Sequence, residues 1–298
     1  MQSPITGSNN CTLIKAFSVK QINKQYIDEY SVNVDKFFKG LNQIELYECP
    51  DTGYRFYHPL NIFGDGDFYD GLNKKFETYY LKERWEHIQA IGLLNDKMRV
   101  LEIGSGDGYF LEMLKKENIT ATGLELNQTA VEKSIRNGFE VYNILIEDYS
   151  PKNENTYDAV CFFQVLEHIA DIRSFLTSAL KCLKPGGFLI IGVPNNNPYI
   201  FRHDDWHTLN LPPHHAGLWN KTAFQKLVKF FPLKIAKISI EPLYEFRVWF
   251  NVQKKYYENN NKFLWILLCL VPRPLYKITL GLLKNKIEGR NIFAVYTK

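Results

Sequence analysis

The sequence predicts an α/β chain built on a doubly wound, mostly parallel sheet, and three observations carry that prediction. The run Val100-Leu101-Glu102-Ile103 enters Gly104-Ser105-Gly106-Asp107-Gly108, an apolar strand followed by glycine at every second position. Such a strand is buried on both faces, and its turn must bring backbone close to a ligand. A second short strand, Thr120-Ala121-Thr122-Gly123-Leu124, ends in Glu125 at about the 20-residue interval expected between the first two strands of such a sheet. The third observation is Tyr157 to Gln164, a continuous apolar run between polar stretches, which reads as another fully buried strand.

The intervening elements follow the same pattern. Tyr109, Phe110, Met113 and Leu114 recur at helical spacing and form the first crossover helix. Leu166-Glu167-His168-Ile169 follows the third strand, and Leu183-Lys184-Pro185-Gly186-Gly187 stops a helix before the strand Phe188-Leu189-Ile190-Ile191. Asn220 is placed to cap a helix whose Thr222, Phe224, Leu227, Val228 and Phe231 share an apolar face. The alternating segment Asn291 to Lys298 is expected as a terminal antiparallel strand, with 241–290 an insertion before it.

The turn chemistry narrows the ligand. Dinucleotide folds space their glycines as G-x-G-x-x-G so that a helix N-terminus meets phosphate. Here the spacing is E-x-G-x-G-x-G, and Glu102 and Asp107 would both repel phosphate. A cationic, hydroxyl-bearing ligand suits these carboxylates better. The segment resembles the first motif of class I S-adenosylmethionine-dependent methyltransferases, and the later segments follow that family's order across residues 99 to 195. The resemblance implies a seven-stranded Rossmann-like sheet and S-adenosylmethionine as cofactor. It places Glu102, Gly104, Gly106 and Asp107 around the methionine end and Glu125 on the ribose hydroxyls. Ile146, Glu147 and Gln164 complete the cofactor set, with Ile146 and its neighbours lining the adenine. Glu167-His168 could act as an acid/base pair, but in the family the pair mostly organises the strand end.

Composition bounds the rest. The chain has 298 residues, 45% of them hydrophobic, and a net charge of +4, too mild to argue for a nucleic-acid partner. Its five cysteines, Cys11, Cys49, Cys161, Cys182 and Cys269, are scattered, which fits a reduced cytoplasmic protein without a disulfide framework. The N-terminus has no signal-peptide pattern. Three regions are expected: 1–70 as a hairpin and lid, 71–240 as the cofactor-binding core, and 241–298 as a substrate-side helical insertion with the terminal strand.

Within the first region, Ile44 to Pro59 reads as two strands joined by a tight turn and looks like half of the zinc ribbon that precedes some sugar and small-molecule methyltransferases. A working ribbon needs four thiolates. Thr52 stands where the partner of Cys49 would be, and Ile14 stands three residues after Cys11, so the hairpin is expected to pack without zinc. Gly64-Asp65-Gly66-Asp67 then precedes Phe68 and Tyr69, read as a flexible turn entering a lid; Tyr69, Tyr79 and Tyr80 are candidates to touch the sulfonium or acceptor.

Acceptor chemistry is expected from the long loop between Val193 and His215, which holds His203, Asp204, Asp205, Trp206, His207, His214 and His215, four of the chain's seven histidines. Histidine, with a pKa near ~6.5, is the natural base for a hydroxyl acceptor. His215 ranks first for that role, His214 second and His207 third; fixing the loop is the competing use of each. A metal is not expected, since the spacing of these ligands matches no motif. The run Phe263 to Val271 is apolar but short of the ~20 residues of a spanning helix. Its default reading is a buried or dimer-forming helix, while the flanking Lys254, Lys255, Lys262, Arg273 and Lys277 would permit contact with a membrane surface or lipid-linked substrate. The expected function is methylation of a small molecule, first a sugar, nucleotide sugar or polysaccharide precursor, then a quinone- or lipid-type acceptor. A non-catalytic cofactor-binding subunit is the remaining alternative.

Overall fold

The computed structural model describes residues 1–75, 84–198, 201, 203, 206–243 and 246–298. The chain opens with strand β1 (Thr12–Ser18), helix α1 (Val19–Tyr30), and strands β2 (Gln43–Glu48) and β3 (Arg55–His58), followed by helix α2 (Gly66–Lys75). Ile44 and Leu46 alternate with Glu45 and Tyr47, so one face of β2 is buried against Phe17, Ile22, Tyr26 and Phe68. The expected hairpin is therefore β2–β3, paired antiparallel from Glu45↔His58 to Glu48↔Arg55.

Helix α3 (Trp85–Ile91) leads into the alternating core: β4 (Arg99–Ile103), α4 (Tyr109–Lys116), β5 (Thr120–Leu124), α5 (Gln128–Arg136), β6 (Glu140–Tyr142), α6 (Ile146–Tyr149), β7 (Tyr157–Phe163), α7 (Ile172–Cys182) and β8 (Leu183–Pro194). After the histidine loop come β9 (Gly217–Leu218), α8 (Lys221–Leu227), β10 (Lys234–Pro242), helices α9 (Phe246–Asn260), α10 (Lys262–Leu270) and α11 (Arg273–Leu283), and β11 (Glu288–Thr297). The large sheet runs β10-β11-β8-β7-β4-β5-β6. Neighbours from β8 through β6 pair in parallel, and β11 lies antiparallel between β8 and β10. The doubly wound, mostly parallel seven-stranded sheet and its reversed terminal strand are as the sequence predicts. Strand order reverses between β4 and β7, and ligands of such sheets bind beyond the carboxyl ends at that switch.

The N-terminal sheet does not close within the first 70 residues. Its fourth strand is β9, which pairs with β3 at Arg55↔Leu218 and Phe56↔Gly217. Tyr54 and Phe56 pack with Trp219, Phe224 and the β7–β8 core, so hairpin and core share one apolar cluster. Gly217 is where that packing is tightest: a Cβ there would lie 1.6 Å from the Tyr54 hydroxyl oxygen.

Two readings of the sequence need correction. The Gly64–Asp67 turn is anchored rather than loose: Asp65 accepts the Phe68 amide at 3.0 Å and pairs with Lys36 at 2.6 Å, and Phe68 is 1% exposed inside the N-terminal core. Finally, α10 buries none of its residues, and Phe263 and Leu270 are 69% and 73% exposed, so the apolar run is a surface helix.

His87 gives the fold a built-in acid sensitivity. It is 6% exposed, wedged between Phe110 and Phe163, and burial drives its pKa down to about 3, with Arg84 adding to the shift. The unfolded chain holds the extra proton below about 6.5. Stability is therefore full above that pH and falls by about 1.4 kcal/mol per unit as pH drops toward 3 from this group alone. His87→Leu should abolish about 2 kcal/mol of the loss between pH 7 and 5, measured by denaturant unfolding at both. Equal losses in the two proteins would contradict the assignment.

Candidate active site

The carboxyl ends of β4, β5 and β7 converge on the glycine turn. Gly104, Gly106 and Gly108 have φ of +74°, +52° and +81°, a conformation that disfavours side chains. A Cβ on Gly104 would lie 2.4 Å from Val165 Cγ2, so its missing side chain makes room for the turn after β7. The sequence reading assigned that space to the ligand; in the structure it is filled by Val165.

The carboxylates of this turn are held in three different ways. Glu125 accepts from the Gly106 amide at 2.8 Å through Oε2, and from the Leu126 and Asn127 amides at 2.8 Å through Oε1. It therefore ties the glycine turn to the start of α5. Asp107 pairs with Lys133 at 2.6 Å, on the α5 side. Glu102 is 3% exposed, and its Oε2 has no partner. Burial, reinforced by the neighbouring Glu125, pushes its pKa well above the carboxylate range, which favours its protonated form.

Two further cofactor residues are engaged elsewhere. Gln164, at φ +56°, donates from Nε2 to Glu86 Oε1 at 2.8 Å and Asn291 Oδ1 at 3.3 Å. Ile146 is 2% exposed and packs inward at the start of α6, so the apolar side chain presented there is Leu145, 48% exposed. Glu147, next along α6, is half-buried. Orphaned Glu102 Oε2 and Ser105 Oγ, with Glu125 at the end of β5, offer acceptors and a hydroxyl, and the cation beside the turn, Lys133, is neutralised by Asp107. That donor set fits S-adenosylmethionine.

Beyond β7 the structure assembles a histidine cluster. His214 and His215 are 7% and 4% exposed, their rings stacked with centroids 4.4 Å apart. His168 meets both at 5.1 Å, although 46 residues separate it from His214. Three backbone bonds fix the loop: the Ala216 amide donates to the Glu167 carbonyl at 2.9 Å, the Tyr57 amide to the Ala216 carbonyl at 3.0 Å, and the Gly64 amide to the Pro213 carbonyl at 3.0 Å. The Tyr26 hydroxyl donates to the Leu211 carbonyl at 2.7 Å. Tyr69 lies against the cluster, 6.4 Å from His168 and 6.0 Å from His214 between ring centroids.

Burial holds all three imidazoles neutral. It pushes His214 down to about 3, His168 to about 4 and His215 well below the usual range, with the neighbouring histidines adding to the shifts on His214 and His215. Burial likewise raises Glu167 to about 8. Glu167 Oε1 and His168 Nε2 are 3.9 Å apart, so at neutral pH the two form a contact between uncharged groups and not an ion pair. His203 is elsewhere, at 3.1 Å from the Tyr257 hydroxyl on α9. Tyr79, Tyr80, Asp204 and Asp205 lie outside the described residues. The sequence reading weighed His168 as an acid/base partner of Glu167 or a strand-end residue and did not join it to His214 and His215, because nothing in its spacing links it to the pair.

The geometry agrees with comparisons to known proteins. The methyltransferase-domain family matches residues 76–237, more than half of the sequence, and the chain belongs to that family. A solved S-adenosylmethionine-dependent methyltransferase from Archaeoglobus fulgidus superposes with a TM-score of 0.54 at 18% identity, covering 78% of this chain and 100% of that one. Among curated relatives, the ubiquinone biosynthesis O-methyltransferase of Vibrio parahaemolyticus is 34% identical over 121 residues, 38% of this chain and 51% of the relative. The protein of that name from Vibrio cholerae is 32% identical over 35% of this chain and 45% of the relative. The chain thus spans about half the length of the curated relatives it matches.

The neutral state of Glu102 is testable through stability. The folded protein keeps a proton that the unfolded chain releases above about pH 4.3, so the carboxyl weakens the fold progressively as pH rises past that point. Glu102→Gln should be more stable, relative to the natural protein, at pH 7 than at pH 4 by urea unfolding. A difference independent of pH would show Glu102 ionised in the fold.

Proposed function

We propose that the protein is an S-adenosylmethionine-dependent methyltransferase acting on a hydroxyl of a quinone-type phenolic acceptor that carries an apolar tail. The observation that carries the acceptor class is the exposed apolar surface of α10 and α11. Phe263, Leu270, Ile278 and Leu282 are 60–80% exposed there. Lys262, Arg273 and Lys277 lie in the same two helices. No single helix among the described residues is long and apolar enough to cross a membrane. Such a surface suits an acyl or isoprenoid tail, or the lipid layer that holds one. The names of the Vibrio relatives point the same way. The sugar acceptor expected from the ribbon-like hairpin is the weaker reading, since neither observation favours it.

When bound, S-adenosylmethionine supplies a methyl group already activated by the sulfonium. Glu125 would accept hydrogen bonds from its ribose hydroxyls, exchanging its present bond to the Gly106 amide. Neutral Glu102 would support the turn from beneath. His168 lies three residues along from Val165, which packs against Gly104, and on this reading the histidine cluster would face the acceptor. Tyr69 and the imidazoles would hold the acceptor hydroxyl and exclude water. His215, with His214 as the alternative, was assigned from sequence as general base. As groups held neutral by burial, their contribution is to bind and align the hydroxyl.

The test is a methyl-transfer assay with a tail-bearing catechol, a short water-soluble catechol and a nucleotide sugar. Turnover is expected on both catechols and not on the sugar. Phe263→Asp with Leu270→Asp should weaken use of the tail-bearing substrate at least ~10-fold, since each buried side chain contributes on the order of 1.5–3 kcal/mol, and should spare the short one. Transfer to the sugar alone would overturn the reading.

A further inference from the structure

We propose that His168, His214 and His215 form a binding site for a divalent transition-metal ion of the zinc class. One ring nitrogen from each of the three side chains lies within 4.8 Å of the other two. A tetrahedral zinc site with bonds of about 2.1 Å brings its nitrogens to about 3.4 Å apart, so small ring rotations close this one. Two of the three rings are already set for metal. His168 Nδ1 is 2.6 Å from the His214 carbonyl and His214 Nδ1 is 2.8 Å from the Leu209 carbonyl. A carbonyl only accepts, so both Nδ1 atoms carry the hydrogen and both Nε2 atoms keep their lone pairs. Donation from the distal nitrogen to a backbone carbonyl is the outer-shell arrangement of metal-ligating histidine.

The third ring supplies the observation that calls for an occupant. His215 is 4% exposed, and its Nδ1 is buried with no hydrogen-bond partner. An unpaired buried polar atom is costly, and an ion between the rings would satisfy it. Glu167, 1% exposed with Oε2 also unpartnered, lies beside His168. Three imidazoles leave one position open, as in catalytic rather than structural zinc sites.

The role of the ion, unlike its binding, rests on the function proposed above. An acceptor hydroxyl at the open position would lose its proton to water at lower pH. Its oxygen then bonds to the methyl carbon while the carbon–sulfur bond breaks, and that electron pair stays on sulfur. This gives the cluster the activating power that buried neutral imidazoles lack by themselves.

The experiment uses the untagged full chain, stripped with chelator, desalted and titrated with Co²⁺ followed by visible absorption. One Co²⁺ per chain is expected, displaced by Zn²⁺. His168→Gln and His215→Gln should each weaken uptake at least ~10-fold. Cys11→Ser with Cys49→Ser should leave it unchanged, which separates this site from the N-terminal thiols. In the natural protein, bound Co²⁺ should protect the three histidines from diethylpyrocarbonate, a readout that needs no variant. Absence of stoichiometric uptake, uptake that follows the thiols, or no histidine protection overturns the site. Stoichiometric uptake with methyl transfer unaffected by metal removal leaves the site standing and overturns its role; uptake without methyl transfer to any acceptor contradicts the proposed function alone.

Discussion

The backbone bond from the Ala216 amide to the Glu167 carbonyl, beside the contact of His168 Nδ1 with the His214 carbonyl, joins the histidine loop to the large sheet at the point where the chemistry is concentrated. On one side lies the turn after β7, held by the large parallel sheet. On the other, the chain runs on into β9, which completes the N-terminal sheet. Tyr57, one residue before the end of β3, bonds back to Ala216, so the residue is gripped from both directions. His214 and His215 precede it and His168 follows Glu167, and neither group could reach the other without this seam. The ribbon-like hairpin acts here as a clamp on the histidine loop, through Trp219, Tyr54 and Phe56. Its thiols are secondary to that work, with Cys49 buried near Thr6 at 3.7 Å.

The glycine turn applies a second constraint. Three acidic side chains crowd one end of β4 and β5, and like charges at that density would repel. The fold separates them by environment. Asp107 is neutralised by Lys133, Glu125 is stabilised by three amides, and Glu102 stays protonated in the interior. Glu125 then presents a half-buried carboxylate beside the turn with no cationic partner among the described residues, which suits a cationic, hydroxyl-bearing cofactor better than a pyrophosphate.

What was legible in the sequence is what local patterning encodes. The buried strands around Leu101 and Val160, the Asn220 cap on α8 with its bond from the Ala223 amide, and the alternating terminal strand all declare themselves within a dozen residues. What was not legible depends on partners distant in the chain. β9 is two residues long and has no periodicity to find. The nine residues of α10 read as a buried or dimer-forming helix, because an apolar run looks alike in a core and on a surface. Ile146 and Leu145 differ by one position, and only the start of α6 decides which points inward. The histidine cluster needed His168 from one loop and its partners from another, a juxtaposition set by the seam and by no motif.

The central claim is that the Glu125 carboxylate and the glycine turn it braces bind S-adenosylmethionine. Calorimetric titration of the cofactor into the natural protein, Glu125→Ala and Glu125→Gln tests it most directly. Bonds to a charged acceptor contribute on the order of 1.5–3 kcal/mol each, so the alanine variant should bind at least ~10-fold more weakly. The glutamine variant, which keeps the shape and loses the charge, should fall between. Equal affinity in all three proteins, each folded by circular dichroism, would contradict the claim and remove Glu125 from the site.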